Sequence, residues 1–151
     1  MSDSTVHPGE EFFRRVTLAA TLARRHAEKV LAPFRLTVAE YTLLRIVRNT
    51  PNLTARAAGK RMYSTAPSVA QLVKSIESKG LIARTASNSD ARVQYISLTA
   101  RGKTLAEKAY VSVIREQRAL DINERDLTDT SGNLSRIIDS LSTSLPSYGH
   151  A

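Results

Sequence analysis

The sequence predicts a mainly helical α+β fold in which one small β-hairpin follows a pair of short helices. Three observations predict it. Helix start and stop signals recur along most of the chain. The segments Gly80-Leu-Ile-Ala-Arg84 and Ile96-Ser-Leu-Thr99 flank a polar turn carrying Asp90 and Arg92. Positive charge gathers around that turn and the two helices before it.

Residues 1–9 are polar and carry Pro8-Gly9, the composition of a loose arm. From Glu10 to Ala32 the apolar positions Phe12, Val16, Ala19, Ala20, Ala23, Ala27, Val30 and Leu31 recur at helical spacing, and Pro33 stops the run. Such a helix is about 35 Å long, more than a small unit covers by itself. Thr37-Val-Ala-Glu40 has the spacing of a capping box and opens a second helix, with Tyr41, Leu44, Ile46 and Val47 as core candidates. Asn49-Thr-Pro51-Asn52 breaks it. Thr54 caps a third, short helix reaching about Tyr63. Ser64-Thr65 opens a fourth over 66–79, where Pro67 sits in the first turn and costs no internal hydrogen bond. Gly80 ends it in the left-handed conformation. Leu81 to Thr85 and Val93 to Leu98 read as strands, with turn chemistry over Ser87-Asn-Ser-Asp90. A fifth helix runs from about Arg101 to Leu120. A sixth, from about Glu124, aligns Leu134, Ile137, Ile138, Leu141 and Leu145 on one face.

Two short helices and a hairpin make a winged helix-turn-helix over 37–103. An arm and helix at 1–36 and two helices at 104–151 flank it as dimerisation elements of one composite domain. Three apolar stripes lying outside the winged unit are buried economically by pairing with a second copy, since symmetric dimers are the commonest oligomers.

Composition closes off several functions. There is no cysteine, which removes disulfides, thiolate catalysis and cysteine redox sensing. His7, His26 and His150 are scattered, so neither a metal site nor a cofactor is expected. No hydrolase elbow, phosphate loop or paired-carboxylate motif is present, and an enzyme is not expected. No apolar run is long enough to span a bilayer and the N-terminus lacks a signal-peptide core, so the expectation is a cytoplasmic protein without a membrane partner.

Charge supplies the positive indication. Between Thr54 and Lys103, Arg56, Lys60, Arg61, Lys74, Lys79, Arg84, Arg92, Arg101 and Lys103 face only Glu77 and Asp90, leaving +7 of the chain's +8 in this third. That is the footprint of a surface facing phosphates. On the fourth helix Val69, Leu72, Val73 and Ile76 form the buried side and leave Ser68, Gln71, Lys74 and Ser75 outward. Gln71 suits a base edge in the major groove, Ser68 and Lys74 suit phosphate contacts, and Thr65 and Arg84 are further DNA-binding candidates. At the hairpin tip the Asp90 carboxylate is placed to hold the Arg92 guanidinium towards a narrow minor groove.

Leu36-Thr-Val-Ala-Glu-Tyr-Thr-Leu-Leu44, Ile76-Glu-Ser-Lys-Gly-Leu-Ile-Ala-Arg84, Asp90-Ala-Arg92 and Ile96-Ser-Leu-Thr-Ala-Arg-Gly102 resemble the MarR family of transcriptional regulators, over roughly residues 10–145. The resemblance implies a homodimer whose recognition helices enter successive major grooves of a pseudo-palindromic operator in double-stranded DNA. Arg92 is then the wing arginine and Asp90 its orienting partner. It further implies repression of the protein's own or a neighbouring gene, relieved by a small phenolic or carboxylated effector. A carboxylate needs a fixed cation beside apolar walls, for which Arg15, Phe12 and Tyr41 are the nominated residues. Three residues depart from the family pattern, Ala58 and Gly59 where it has Leu-Ala and Ala70 where it has threonine or serine. Ala58-Gly59 places a glycine inside the third helix, at a cost of about 1 kcal/mol relative to alanine, and Ala70 leaves the reading helix poorer in hydrogen-bonding groups. The alternatives are a winged-helix module that binds a protein and a sequence-tolerant DNA-binding protein without an effector.

Overall fold

The computed structural model describes residues 7–88, 90 and 92–145. The first six residues of the expected arm, Ser89 and Ala91 of the hairpin turn, and His150 lie outside the described residues. Helix α1, Pro8–Leu31, begins at His7, whose Nδ1 accepts the Gly9 amide at 3.1 Å, with Glu10 and Glu11 in its first turn. Those acids meet the positive end of the helix dipole. A 3-10 turn, Ala32–Phe34, carries the chain past Pro33, and Arg35 reverses it in the left-handed region with φ 54°.

Helix α2, Val38–Arg48, starts with the expected capping box. Thr37 Oγ1 accepts the Glu40 amide at 3.1 Å, and Glu40 Oε2 accepts the Thr37 amide at 2.9 Å. Helix α3, Ala55–Met62, is capped by Thr54, and helix α4, Ala66–Ser78, by Thr65. Strands β2, Ile82–Ala86, and β3, Gln94–Leu98, form the hairpin, followed by helix α5, Ala100–Ala119, and helix α6, Glu124–Ser144.

The hairpin gains a third strand that the sequence reading lacks. Leu53–Thr54 forms β1, antiparallel to β3 with Leu53 opposite Ile96, so the sheet order is β1-β3-β2. Two residues are too short to show the alternation by which strands are recognised. This pairing places the start of α3 against the root of the hairpin, and so fixes the helical pair relative to the wing.

One core joins these elements. Leu31 at the end of α1, Leu43, Leu44 and Val47 of α2, Val69, Val73 and Ile76 of α4, Leu81 and Ile82, Ile96, and Ala106 and Ala109 of α5 are all buried. Tyr41 and Ile46, expected at the centre, lie partly buried at its margin, whereas Leu43 is fully enclosed.

Four residues lock the hairpin between α4 and α5. Gly80 takes φ 68° and ends the helix. Thr99 Oγ1 donates to the Gly80 carbonyl at 2.8 Å and accepts the Gly102 amide at 3.0 Å, while the Thr99 amide donates to the Leu81 carbonyl at 3.1 Å. Gly102 lies so close to Leu81 that a Cβ there would fall 1.9 Å from its carbonyl oxygen.

The helices outside the winged unit remain largely uncovered. Only Leu31 of α1 is buried, although its apolar spacing predicts a longer buried face. No residue of α6 is buried, and Leu127, Leu134, Ile138, Leu141 and Leu145 are exposed along it. Phe13, Leu18, Leu22, Val111 and Leu120 add to the uncovered apolar surface on α1 and α5. Each such side chain stabilises by roughly 1.5–3 kcal/mol when fully buried. Covering these faces is therefore strongly favoured.

Candidate nucleic-acid interface

Helix α4 presents the face expected of a reading element. Val69, Val73 and Ile76 anchor it inward, and Ser68, Ala70, Gln71 and Lys74 are exposed on the other side. Gly59, counted from sequence as a cost, has a packing reason. A Cβ at this buried glycine would meet Val69 Cγ2 at 3.2 Å and the Ser64 carbonyl at 3.3 Å, so its absence lets α3 and α4 approach closely. The exposed cations Arg56, Lys60 and Arg61 of α3 lie on the scaffold helix that packs on α4. Arg61 Nη1 donates to Thr50 Oγ1 at 2.9 Å, which steadies the side chain. Sequence reasoning counted these three in the charge without naming them as candidates.

At the start of α4, Thr65 Oγ1 accepts the Ser68 amide at 3.4 Å and shares a 2.8 Å hydrogen bond with Ser68 Oγ. Both remain exposed. Thr65 is thus first a helix cap, and a hydroxyl pair stands at the helix N-terminus, where unpaired backbone amides and the helix dipole favour an anion. Among the described residues no carboxylate pairs with Lys74, and Gln71 is exposed one turn beyond Ser68.

Two expectations are corrected, for Ser75 and Asp90, and Arg84 gains a partner. Ser75 does not face outward: it is half-buried, and its hydroxyl donates to Glu40 Oε1 at 2.8 Å. The Arg84 guanidinium forks onto Glu77, with Nε at 3.1 Å from each carboxylate oxygen, so it is held at the wing root while Nη1 keeps its protons. This pair holds the Glu77 carboxyl below the usual carboxylate range and raises Arg84 further. The Asp90 carboxylate does not hold the Arg92 guanidinium. Its Oδ1 accepts the Arg92 backbone amide at 2.9 Å, and the Val93 amide donates to the Asp90 carbonyl at 2.9 Å. Asp90 therefore shapes the turn that presents Arg92, and among the described residues the Arg92 side chain is exposed with no acidic partner. Spacing of two residues favours this backbone bond because a short side chain reaches the nearby amide more easily than a long one's tip.

Of the nominated effector residues, Phe12 and Arg15 stand one turn apart near the start of α1, whereas Tyr41 lies on α2. Arg15 is exposed and bonded to Glu11, which Arg14 also holds; those two guanidinium groups keep the Glu11 carboxyl down to about 2. The rest of α1, about 24 Å at 1.5 Å per residue, separates Arg15 from the Leu31 end. Tyr41 is half-buried beside Arg45, Tyr110 and Glu107, and burial pushes its phenol upward. Arg45 lies over the Tyr110 ring at 4.1 Å. A cleft of about 880 Å³ opens where α2, β3 and α5 meet, with Val47, Ile96 and Leu98 as apolar lining, Lys103 and Lys108 as cations, and Arg48 paired with Glu107 in its wall. A second, of about 440 Å³, lies between α1 and α5, where His26 Nε2 is buried with no hydrogen-bond partner among the described residues.

Among the described residues no group of three His, Asp or Glu gathers to hold a metal, and no helix is long and apolar enough to cross a membrane. Beneath the interface, Glu40 is 3% exposed and accepts from Lys79 Nζ at 2.7 and 2.8 Å. Burial alone would raise its carboxyl, but the Lys79 ammonium, the Thr37 amide and the Ser75 hydroxyl together bring it below its ordinary value.

Residues 36–93 match the model of the MarR family. Over 108 residues the chain is 27% identical to the HTH-type transcriptional regulator SarZ of Staphylococcus aureus, covering 72% of this chain and 73% of that one. Among solved structures, CouR from Rhodococcus jostii RHA1 bound to p-coumaroyl-CoA is similar with a TM-score of 0.78 at 20% identity, over 88% of this chain and 95% of that one. The S. aureus MepR–DNA complex is similar with a TM-score of 0.71 at 24% identity, over 87% and 96% of the two chains.

Proposed function

We propose that this chain, a MarR-type winged-helix regulator rather than an enzyme, is a homodimeric DNA-binding repressor of its own or a neighbouring gene, released by a small aromatic effector. The observation that carries the reading is the outward face of α4. Among the described residues Gln71 and Lys74 have no side-chain partner there, α3 cations lie alongside, and Arg92 follows the turn shaped by Asp90. MepR, of the same fold, is solved on DNA.

In this reading Gln71 addresses a base edge, while Thr65, Ser68 and Lys74 engage phosphates and fix register. Arg92 enters a flanking minor groove. Arg84 serves the wing root through Glu77. A second copy covers the apolar faces of α1, α5 and α6 and sets two α4 helices one DNA turn apart. Effector control draws on CouR, solved with p-coumaroyl-CoA. The cleft between α2, β3 and α5 supports it better than Arg15, Phe12 and Tyr41, since it pairs apolar lining with Lys103 and Lys108 for a carboxylate or phenolate. The exposed Ala70, which offers no hydrogen bond to a base, favours sequence-tolerant DNA binding as the second reading.

The test is fluorescence anisotropy with duplexes flanking the protein's own gene, across a salt series and against unrelated competitor DNA. Retained preference for one duplex with steep salt dependence supports an operator-binding regulator. Equal loss under any competitor supports sequence-tolerant binding, and no binding at low salt refutes both.

A further inference from the structure

Lys79 belongs to the basic third of the sequence, yet its chemistry is already spent. An ammonium has three protons to donate. Nζ donates to Glu40 Oε1 at 2.7 Å, to Glu40 Oε2 at 2.8 Å and to the Arg35 carbonyl at 3.0 Å. No donor is left for a phosphate. The receiving carboxylate is equally occupied, taking the Thr37 amide on Oε2 and the Ser75 hydroxyl on Oε1.

These bonds tie three elements together. Ser75 and Lys79 are four residues apart, hence stacked on one side of the end of α4. Glu40 is in the first turn of α2, and Arg35 occupies the left-handed position that follows α1. The apolar face of α4, through Val69, Val73 and Ile76, sets its depth against the core, but such contacts are non-directional. A buried carboxylate accepting from two points along α4 fixes rotation about its axis and its axial register.

We propose that Glu40 is a positioning residue for DNA binding: acting through Lys79 and Ser75, it sets the angle at which α4 presents Gln71 and Lys74, and Lys79 is not a phosphate contact. The inference rests on the DNA-binding reading above. It also makes a prediction of unusual sign. A bystander carboxylate repels phosphates, so neutralising it tightens binding. A positioning carboxylate does the reverse.

The experiment compares the full chain with Glu40→Gln, Lys79→Met, the double variant and the milder Ser75→Ala. The ligands are a duplex selected from a random pool by the unsubstituted protein and an unrelated duplex, each in a salt series, with circular dichroism and thermal unfolding alongside. Expected is about a tenfold loss on the selected duplex for either single variant, with no further loss in the double. Ser75→Ala loses about threefold on the same duplex. Affinity for the unrelated duplex does not fall with Glu40→Gln, and Lys79→Met leaves the salt slope unchanged, which lost folding cannot mimic. Overturning results are Glu40→Gln binding as tightly as the unsubstituted protein or tighter, or Lys79→Met lowering the salt slope by about one per protomer. Should either of the first two variants fail to fold, Ser75→Ala at unchanged affinity overturns it. Absence of binding by the unsubstituted protein to any duplex removes the DNA-binding reading, and this inference with it.

Discussion

Replacing Gly102 with alanine adds one methyl group at the tightest joint of the fold. The new carbon would lie 1.9 Å from the Leu81 carbonyl oxygen, 2.8 Å from its carbon and 3.2 Å from Leu81 Cα, all of them backbone atoms. A flexible neighbour cannot give way, so α5 must withdraw from the start of β2 by more than an ångström. That movement strains the Thr99 amide bond to the same Leu81 carbonyl and the Thr99 hydroxyl bond to Gly80. Overpacking of this kind costs about 1–3 kcal/mol, and a backbone-to-backbone clash belongs at the upper end. Alanine recovers part of this through helix propensity, less than about 1 kcal/mol because the site is in the first turn. A net loss of about 2 kcal/mol lowers the thermal midpoint by roughly 4–8 °C for a chain of this size. Calorimetry or thermal circular dichroism reads it directly. A variant melting within a degree of the unsubstituted protein would refute the claim that α5 and the hairpin meet through Gly102.

Other expected outcomes follow from the same contacts. Arg92→Ala should weaken DNA binding by about 1–3 kcal/mol, as measured by anisotropy, with the dimer mass unchanged; unchanged affinity removes the wing assignment. Placing aspartate at both Leu134 and Ile138 puts charge on the exposed stripe of α6, so sedimentation should report a monomer at micromolar concentration. Because no residue of α6 is buried, the winged unit should keep its circular dichroism spectrum. The folded-state carboxyl of Glu40 is lowered, so its stabilisation is complete above the unfolded value of about 4.3 and fades as pH falls through the folded one. Urea unfolding from about pH 5 downward should therefore show a steeper acid loss for the unsubstituted protein than for Glu40→Gln, and parallel profiles would contradict the pairing.

Local chemistry was legible in the sequence because it acts over a few residues. The Thr37–Glu40 box, the caps at Thr54 and Thr65, and the stop at Gly80 are each decided within one turn of backbone. The Leu98-Thr99-x-x-Gly102 signature was visible as a pattern. Its reason, a cap that also bonds Gly80 and a glycine pressed on Leu81, is tertiary. Tertiary partners account for the misses. Glu40 reads as a cap but also binds a residue 39 positions away, and Arg84 finds Glu77 across the turn from α4 to β2. Helical periodicity placed Ser75 near the outer face, whereas the neighbouring α2 carboxylate draws it inward. For the effector residues, spacing gives a face and not a partner: Arg15 is bonded to Glu11 within α1, and Tyr41 lies beside Arg45 and Tyr110.

Whether two copies of α4 read DNA together is decided by selecting binding sites from a pool of random duplexes and sequencing what is retained. The expected product is an inverted repeat whose half-sites lie about 10 base pairs apart, one helical turn, with the enriched bases centred where Gln71 reaches the groove. A retained pool without symmetry or preferred bases, or no retention at all, would contradict it.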